Sequence, residues 1–226
     1  MKPSHNRTVP LLLACLAAAA CSSAPSTPGS NPAPSTSSSP QPGTVLIRAV
    51  TPADVAFMTG MIHHHAQAVL IAGWSPTHGA SEPMLRLTER IVVGQNDEIA
   101  LMSRWLRDHN QPVPEADTAS THAMAGMGSM PGMDHGDMMM PGMLSAAQLA
   151  QLDSARGPVF DRLFLTFMMQ HHRGAITMVD KLFGSQGAGQ DETTFRLASD
   201  IYADQTTEIN RMQRMLDALP PGENHQ

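Results

Sequence analysis

The sequence contains two copies of one pattern, and this internal repeat constrains the fold more than any other feature. The stretch from Phe57 to His65 (FMTGMIHHH) aligns without a gap with Phe164 to His172 (FLTFMMQHH), at an offset of 107 residues. A second pattern, Gln-x-x-Glu-Ile-x-x-Met, follows in both copies at an offset of 110 residues. Repeated pairs of helices joined by short loops favour an antiparallel four-helix bundle with an internal pseudo-two-fold axis.

Local signals for helix ends divide the repeats into long helices. Proline follows a capping threonine at Thr51, and Ser145 with Gln148 has the spacing of a capping box. No segment has the alternation that is typical of a half-buried strand. The sequence therefore predicts an all-α, ferritin-like antiparallel four-helix bundle over residues 51–219, with a first helical hairpin at 51–111, a connecting loop at 112–144 and a second hairpin at 145–219.

The N-terminal segment is typical of an export signal and is excluded from the fold. Two basic residues precede an apolar run of 12 residues, Val9–Ala20, which is shorter than the roughly 20 residues that a membrane-spanning helix needs. The run ends at Cys21, in a sequence that resembles a bacterial lipobox. We predict a signal peptide at 1–20 and a lipidated Cys21 that begins a Ser/Pro-rich tether at 21–50. The protein is thus expected to be exported and lipid-anchored in the cell envelope; a secretory signal without lipidation is the alternative.

Composition narrows the classes of partner and ligand. The net charge is −6 with only 14 Lys and Arg residues, so the chain lacks the basic footprint of a nucleic-acid-binding protein. Both cysteines, Cys15 and Cys21, belong to the export signal and its processing site. The predicted bundle therefore contains no thiolate ligand and no disulfide. The 18 methionines are an unusually large number, and a functional interpretation has to account for their thioethers.

Helical spacing places His and Met residues on a single face in each copy. They are Met61, His64 and His65 in the first copy, and Met168, His171 and His172 in the second. The partner helices carry polar residues in an otherwise apolar stripe, at Gln95, Glu98, Gln205 and Glu208. Buried polar groups are costly without partners, so we expect the histidines, a bound ion, or both to face them. A metal-free His–Glu network is the alternative, and a methionine on such a face can simply fill the core.

A run rich in methionine, glycine and proline lies between the two hairpins, from His122 to Met143. Glycine and proline disfavour a core helix there, so local structure is not expected to hide these thioethers. Thioether and imidazole ligands suit Cu(I) and Ag(I), whereas hard ions prefer oxygen. A linker of biased composition is the alternative. The candidate ligands in this run are Met124, Met127, Met130, Met133, His135 and Met138.

The paired motifs Phe-x-x-x-Met-Ile-x-His-His and Gln-x-x-Glu-Ile-x-x-Met resemble a bacterial family named only as a domain of unknown function, DUF305. The resemblance extends from about Asp54 to Leu219, and it implies a ferritin-like bundle that binds copper or silver through Met and His outside the cytoplasm. The sequence departs from the family pattern at His63 and Gln170, where proline is common. Carried over by motif position, the implied metal ligands are Met61, His64, His65, Met168, His171 and His172, with Met102 and Met212 behind them.

We therefore expect a non-enzymatic exported lipoprotein that binds Cu(I), and also Ag(I), for copper buffering, transfer or resistance. Its membrane contact would be the lipid anchor alone, and envelope copper-handling proteins are candidate partners. Two other functions stay open. A ferritin-like di-metal oxidoreductase would use Glu-x-x-His on two helices, a motif that the sequence does not contain. A metal-free envelope interaction module would use the His–Glu network only to fix the geometry of the bundle.

Overall fold

The computed structural model describes residues 50–114 and 140–220. The predicted signal peptide, Cys21 and the tether up to residue 49 lie outside the described residues, as do the candidate ligands Met124, Met127, Met130, Met133, His135 and Met138. The described residues contain no strand and form α1 (Pro52–Ala72), α2 (Glu82–Asp108), α3 (Ala146–Ser154), α4 (Gly157–Gly184) and α5 (Glu192–Ala218). The all-α prediction is confirmed.

The helix starts follow from local capping chemistry. At the start of α1, the Asp54 N–H donates to the Thr51 hydroxyl at 3.2 Å, and the Thr51 N–H donates to the Asp54 carboxylate at 2.8 Å. Ser145 and Gln148 form the predicted capping box of α3. Asp191 caps α5 by accepting a backbone N–H three residues further on, at 2.9 Å. These side chains satisfy N–H groups that a helix start leaves unpaired, which is why short sequence signals located them.

Two helical hairpins make the bundle. The first pairs α1 with α2, the second pairs α4 with α5, and the hairpins meet through α1 and α4, with the short α3 lying on α4. The central pair, α1 and α4, carries the two copies of Met-x-x-His-His. The predicted four-helix bundle of two duplicated hairpins is confirmed. Within the described residues, no helix combines the length and apolar content that crossing a membrane requires.

The apolar core consists of two clusters with a polar layer between them. In α1, Met61 belongs to one cluster and Ala68 to the other; in α4, Ala175 belongs to the first and Met168 to the second. The paired histidines of each helix lie between these positions. The paired histidines of α1 and α4 therefore lie at the same level, near the middle of both helices. This arrangement is expected when two copies of one pattern pack in an antiparallel pair.

The segment that precedes α3 approaches α4 through two glycines. A Cβ atom built on Gly174 would lie 2.0 Å from the carbonyl oxygen of Pro141 and 2.6 Å from the Cα of Gly142. Gly142 itself has a φ of +76°, which L side chains rarely adopt. Only the absence of a side chain at Gly174 lets the segment lie directly on α4.

Hydrogen bonds from α1 hold the same segment in place. The Gln67 side chain accepts from the Leu144 N–H at 2.7 Å and donates to the Leu144 carbonyl at 3.1 Å. From the sequence, the whole run from His122 to Met143 was expected to leave its thioethers unhidden, whereas Met140 and Met143 are half-buried. The expectation concerned local structure alone, and the partial burial of these two residues results from the close backbone approach that glycine permits.

Candidate metal centre

Four histidines from the central helices form the polar layer. His64, His65, His171 and His172 all have 0% of their surface exposed. The rings of His64 and His171 come from different hairpins, and their centroids lie 3.8 Å apart with the planes tilted by 37°. The structure thus brings the two repeat copies into direct contact through equivalent residues.

The second histidine of each pair is bound to a glutamate of the partner helix. His65 Nε2 lies 2.7 Å from Glu98 Oε2, and His172 Nε2 lies 2.6 Å from Glu208 Oε2. The two glutamate side chains are 13% and 20% exposed, so each links the buried layer to the surface. A carboxylate that accepts from one imidazole nitrogen fixes the orientation of the ring and leaves the lone pair on the other nitrogen.

The first histidines of the two pairs differ in their partners. His64 Nε2 donates to the carbonyl oxygen of Pro141 at 3.0 Å. Neither ring nitrogen of His171 makes a hydrogen bond of normal distance and angle with the described residues, although the ring is close enough to the His64 backbone for a weak attraction. In the same part of the chain, Nδ1 of His64, His65 and His172 is also buried and unpaired. Unpaired buried polar atoms normally cost free energy, so five ring nitrogens without partners indicate a position for a ligand.

Burial keeps the imidazoles of His64 and His171 neutral. Loss of hydration, followed by repulsion from His65, lowers the pKa of His64 from 6.5 to about 3. The pKa of His171 is lowered well below 6.5, first by burial and then by His64. A neutral imidazole keeps the nitrogen lone pair that a metal ion needs, without first losing a proton.

The predicted thioether ligands lie on either side of the histidine layer. Met61 and Met102 share one apolar cluster, and Met168 and Met212 share the other. All four have 0% exposure. Each cluster therefore contains the two methionines of one repeat copy. Their role as ligands stays a prediction, because buried methionines also fill cores.

The remaining predicted site residues, Gln95 and Gln205, are buried at the level of the glutamates. Gln95 is 3% exposed and both of its amide atoms are unpaired, while Gln205 is 2% exposed and its Oε1 is unpaired within the described residues. Across residues 50–114 and 140–220, no three His, Asp or Glu side chains already converge as a metal site.

Two features of this region were not predicted from the sequence. The Pro141 carbonyl, which orients His64, belongs to a segment that was read as part of a loop. Asp204 lies beside the glutamates, and at the repeat offset of 110 residues the first copy has Gly94 in its place. Asp204 cannot be inferred from the residues that the two copies share, whereas its position one turn before Glu208 indicates that the two carboxylates lie on the same helix face.

The chain belongs to the DUF305 family, described as a domain of unknown function, because the profile of that family matches residues 54–216. This finding confirms the resemblance inferred from the paired motifs. A comparison with curated proteins gave no significant match.

Solved structures of the same fold include family members and a metal-bound protein. A DUF305 fragment from Deinococcus radiodurans is 28% identical with a TM-score of 0.59, and the match covers 75% of this chain and 99% of that chain. A DUF305 protein from Streptomyces coelicolor, described as secreted, is 26% identical with a TM-score of 0.57, covering 77% and 98%. CopM in its Cu(II)-bound form is 27% identical with a TM-score of 0.54, covering 73% and 95%. CopM has also been solved in Cu(I)-bound and silver-bound forms, and these matches, at 24% and 23% identity, establish the shared fold alone.

Proposed function

We propose that this protein binds Cu(I), and also Ag(I), in its buried histidine layer as a non-enzymatic copper-binding protein. The observation that carries the proposal is His171, a fully buried imidazole with two unpaired ring nitrogens that lies 3.8 Å from the ring of His64. A bound ion would give a partner to the lone pair that each neutral imidazole keeps on one ring nitrogen, which the described residues do not supply.

The donor chemistry favours a soft monovalent ion. His64 and His171 would supply neutral imidazole nitrogen, and Met61 and Met168 precede them by one helical turn with neutral thioethers. A site of neutral ligands adds no negative charge to balance a dication buried away from water, which favours Cu(I) or Ag(I) over a divalent ion. The CopM structure at 27% identity contains Cu(II), and it supports copper as the metal, whereas the preference for a monovalent ion rests on the donor chemistry alone.

The cellular setting of the proposal comes from the N-terminal sequence. The signal-like segment that ends at Cys21 supports an exported, lipid-anchored protein of the cell envelope, where copper would be buffered, transferred or detoxified. The similarity to a family member described as secreted supports export. Envelope copper-handling proteins are the partners that this role would require.

Thermal unfolding with added metal tests the proposal directly. The mature chain is residues 21–226 with Cys21→Ser, which removes the only thiol as a competing ligand. Ligand at about one hundred times its dissociation constant stabilises the native state by about 2.7 kcal/mol, which corresponds to a rise in Tm of about 5–10 °C for a chain of this size. We expect this rise with Cu(I) under argon and with Ag(I).

The matched variant is the mature chain with His64→Leu and His171→Leu, for which we expect a much smaller rise in Tm. An unchanged Tm of the mature chain with either ion would contradict metal binding. It would favour the metal-free interaction module, in which the pairs His65–Glu98 and His172–Glu208 serve only to fix the bundle.

A further inference from the structure

A separate polar cleft lies between α2 and α5, on the outer side of the histidine layer. Its volume is about 190 Å³, and carboxylates of Glu98, Asp204 and Glu208 line it together with the amides of Gln95 and Gln205. Both outer helices contribute to it. The cleft therefore lies between the two hairpins, on the side opposite the contact of α1 with α4. A space of this size can hold an ion together with several water molecules.

The buried end of the cleft carries amide groups that have no partner. Gln95, which is 3% exposed, has an unpaired Oε1 and Nε2, and Gln205, which is 2% exposed, has an unpaired Oε1 within the described part of the chain. Each amide oxygen left without a donor costs free energy. The two glutamines come from opposite hairpins and line one space, so a single ligand placed there could satisfy both oxygens.

The charges that line the cleft are unbalanced. Three carboxylates, those of Glu98, Asp204 and Glu208, share the cleft with one guanidinium, that of Arg90. One oxygen of each glutamate is bound to a histidine of the layer, which leaves the second oxygen of each glutamate without that partner. The pKa of Asp204 is raised, first by partial burial and then by the negative charges of Glu98 and Glu208. Like charges held this close disfavour their own ionised forms, and a cation in the cleft would remove that repulsion.

We propose that the α2–α5 cleft binds a partly hydrated divalent cation of the oxygen-preferring class, such as Mg²⁺ or Mn²⁺, through Glu98, Asp204 and Glu208. Carboxylate, amide carbonyl and water are the ligands that these ions select. The ion keeps part of its water shell, because within 50–114 and 140–220 no three acidic or histidine side chains converge at direct coordinating distance. The site differs in ligand chemistry from the soft-metal layer, and it contacts that layer through the Glu98–His65 and Glu208–His172 hydrogen bonds.

Electron paramagnetic resonance with Mn²⁺ tests this site, because the signal of the free aqueous ion is lost on binding. We expect the copper-free mature chain to bind one Mn²⁺, and Asp204→Asn to weaken this binding by about tenfold or more. Asp97→Asn is the matched control. It removes the same charge from an exposed residue next to Glu98 that does not line the cleft, and we expect an affinity within about twofold of that of the mature chain.

Two results would overturn the proposal: absence of Mn²⁺ binding, or equal weakening by Asp204→Asn and Asp97→Asn. The variant His171→Leu separates the cleft from the soft-metal layer. We expect it to keep Mn²⁺ binding, and loss of binding in His171→Leu with retention in Asp204→Asn would place the ion in the histidine layer instead. Because the titration contains no copper, failure of the soft-metal proposal would leave this result unaffected.

Discussion

At the scale of single residues, two buried histidines in this bundle have opposite environments. His78 is 5% exposed, and both of its ring nitrogens have partners: Nδ1 lies 3.1 Å from the Thr77 hydroxyl, and Nε2 lies 3.0 Å from the Asp153 carbonyl. His171 is 0% exposed and has none among the described residues. Satisfied nitrogens are typical of a structural histidine, whereas unsatisfied ones indicate a ligand position.

Leucine substitutions at these two positions should have opposite consequences. His78→Leu leaves the Asp153 carbonyl without its donor, so we expect the free energy of unfolding to fall by about 1–3 kcal/mol with Cu(I) affinity unchanged. His171→Leu removes two unpaired nitrogens, so we expect little loss of stability without metal and a loss of Cu(I) affinity of about tenfold or more. Urea unfolding and Cu(I) competition measure the two quantities, and an equal loss of stability in both variants would argue against the distinction.

The neutral state of His64 and His171 predicts how stability depends on pH. The pKa of His64 is about 3 in the folded protein and 6.5 as the reference value, so below pH 6.5 the unfolded chain binds a proton that the folded chain does not. The free energy of unfolding should therefore fall as the pH decreases from 6.5 towards 3. The slope approaches about 1.4 kcal/mol per pH unit for each such histidine.

Urea unfolding of the metal-free mature chain across this pH range measures the slope. The variant with His64→Leu and His171→Leu is the comparison, and its stability should depend less steeply on pH. Since the pKa of His171 is also lowered by burial, both residues contribute in the same direction. The same slope in both proteins would mean that other groups cause the pH dependence.

At the scale of the elements, residues 140–144 connect the methionine-rich run to the histidine layer. Pro141 accepts from His64, Gln67 holds Leu144, and Met140 Sδ lies 3.4 Å from a Cβ position built on Gly60. The end of the run is thus attached to the bundle next to the histidine layer, through the contact of Pro141 with His64. An ion bound by the run would be released close to the proposed buried site.

Substitution of Gly174 tests the importance of this contact. In Gly174→Ala, the new Cβ would lie 2.0 Å from a backbone oxygen, which a side-chain rearrangement cannot relieve. We expect a loss of about 1–3 kcal/mol in the free energy of unfolding together with weaker Cu(I) binding. Gly94→Ala in α2 is the matched control: a Cβ there meets nothing within 4 Å, and a gain of up to about 1 kcal/mol is expected from helix propensity. Equal stability of the two variants would mean that residues 140–144 are displaced without cost.

The sequence predicted those parts of the structure that depend on local or repeated patterns. The caps at Thr51 and Ser145 are visible because a helix start needs short polar side chains at fixed spacing. The hairpins and the facing of the histidines towards Glu98 and Glu208 were predicted from the repeat. The partner of His64 could not be predicted, because it depends on where the chain returns after residue 139, and Asp204 was missed because it breaks the symmetry between the two copies.

At the scale of the whole molecule, the proposed function combines a buried layer with a methionine-rich run. The layer has fixed geometry, so its affinity should depend on a few residues, whereas spaced thioethers in the run would add further sites for soft ions. A variant without the thioethers of residues 122–139, called the thioether-free variant below, separates the two contributions while keeping chain length. Its substitutions, all Met→Ser, are at Met124, Met127, Met130, Met133, Met138 and Met139.

The most direct test of the account is an anaerobic Cu(I) titration of this thioether-free variant against a chromophoric chelator, with and without His64→Leu and His171→Leu. We expect the variant to retain one tightly bound Cu(I) and to bind fewer ions in total than the mature chain, because only the run has lost its ligands. The added leucine substitutions should abolish the remaining site. If the thioether-free variant retains no Cu(I), or if binding survives both leucine substitutions, the histidine layer is not the metal site and the central claim is wrong.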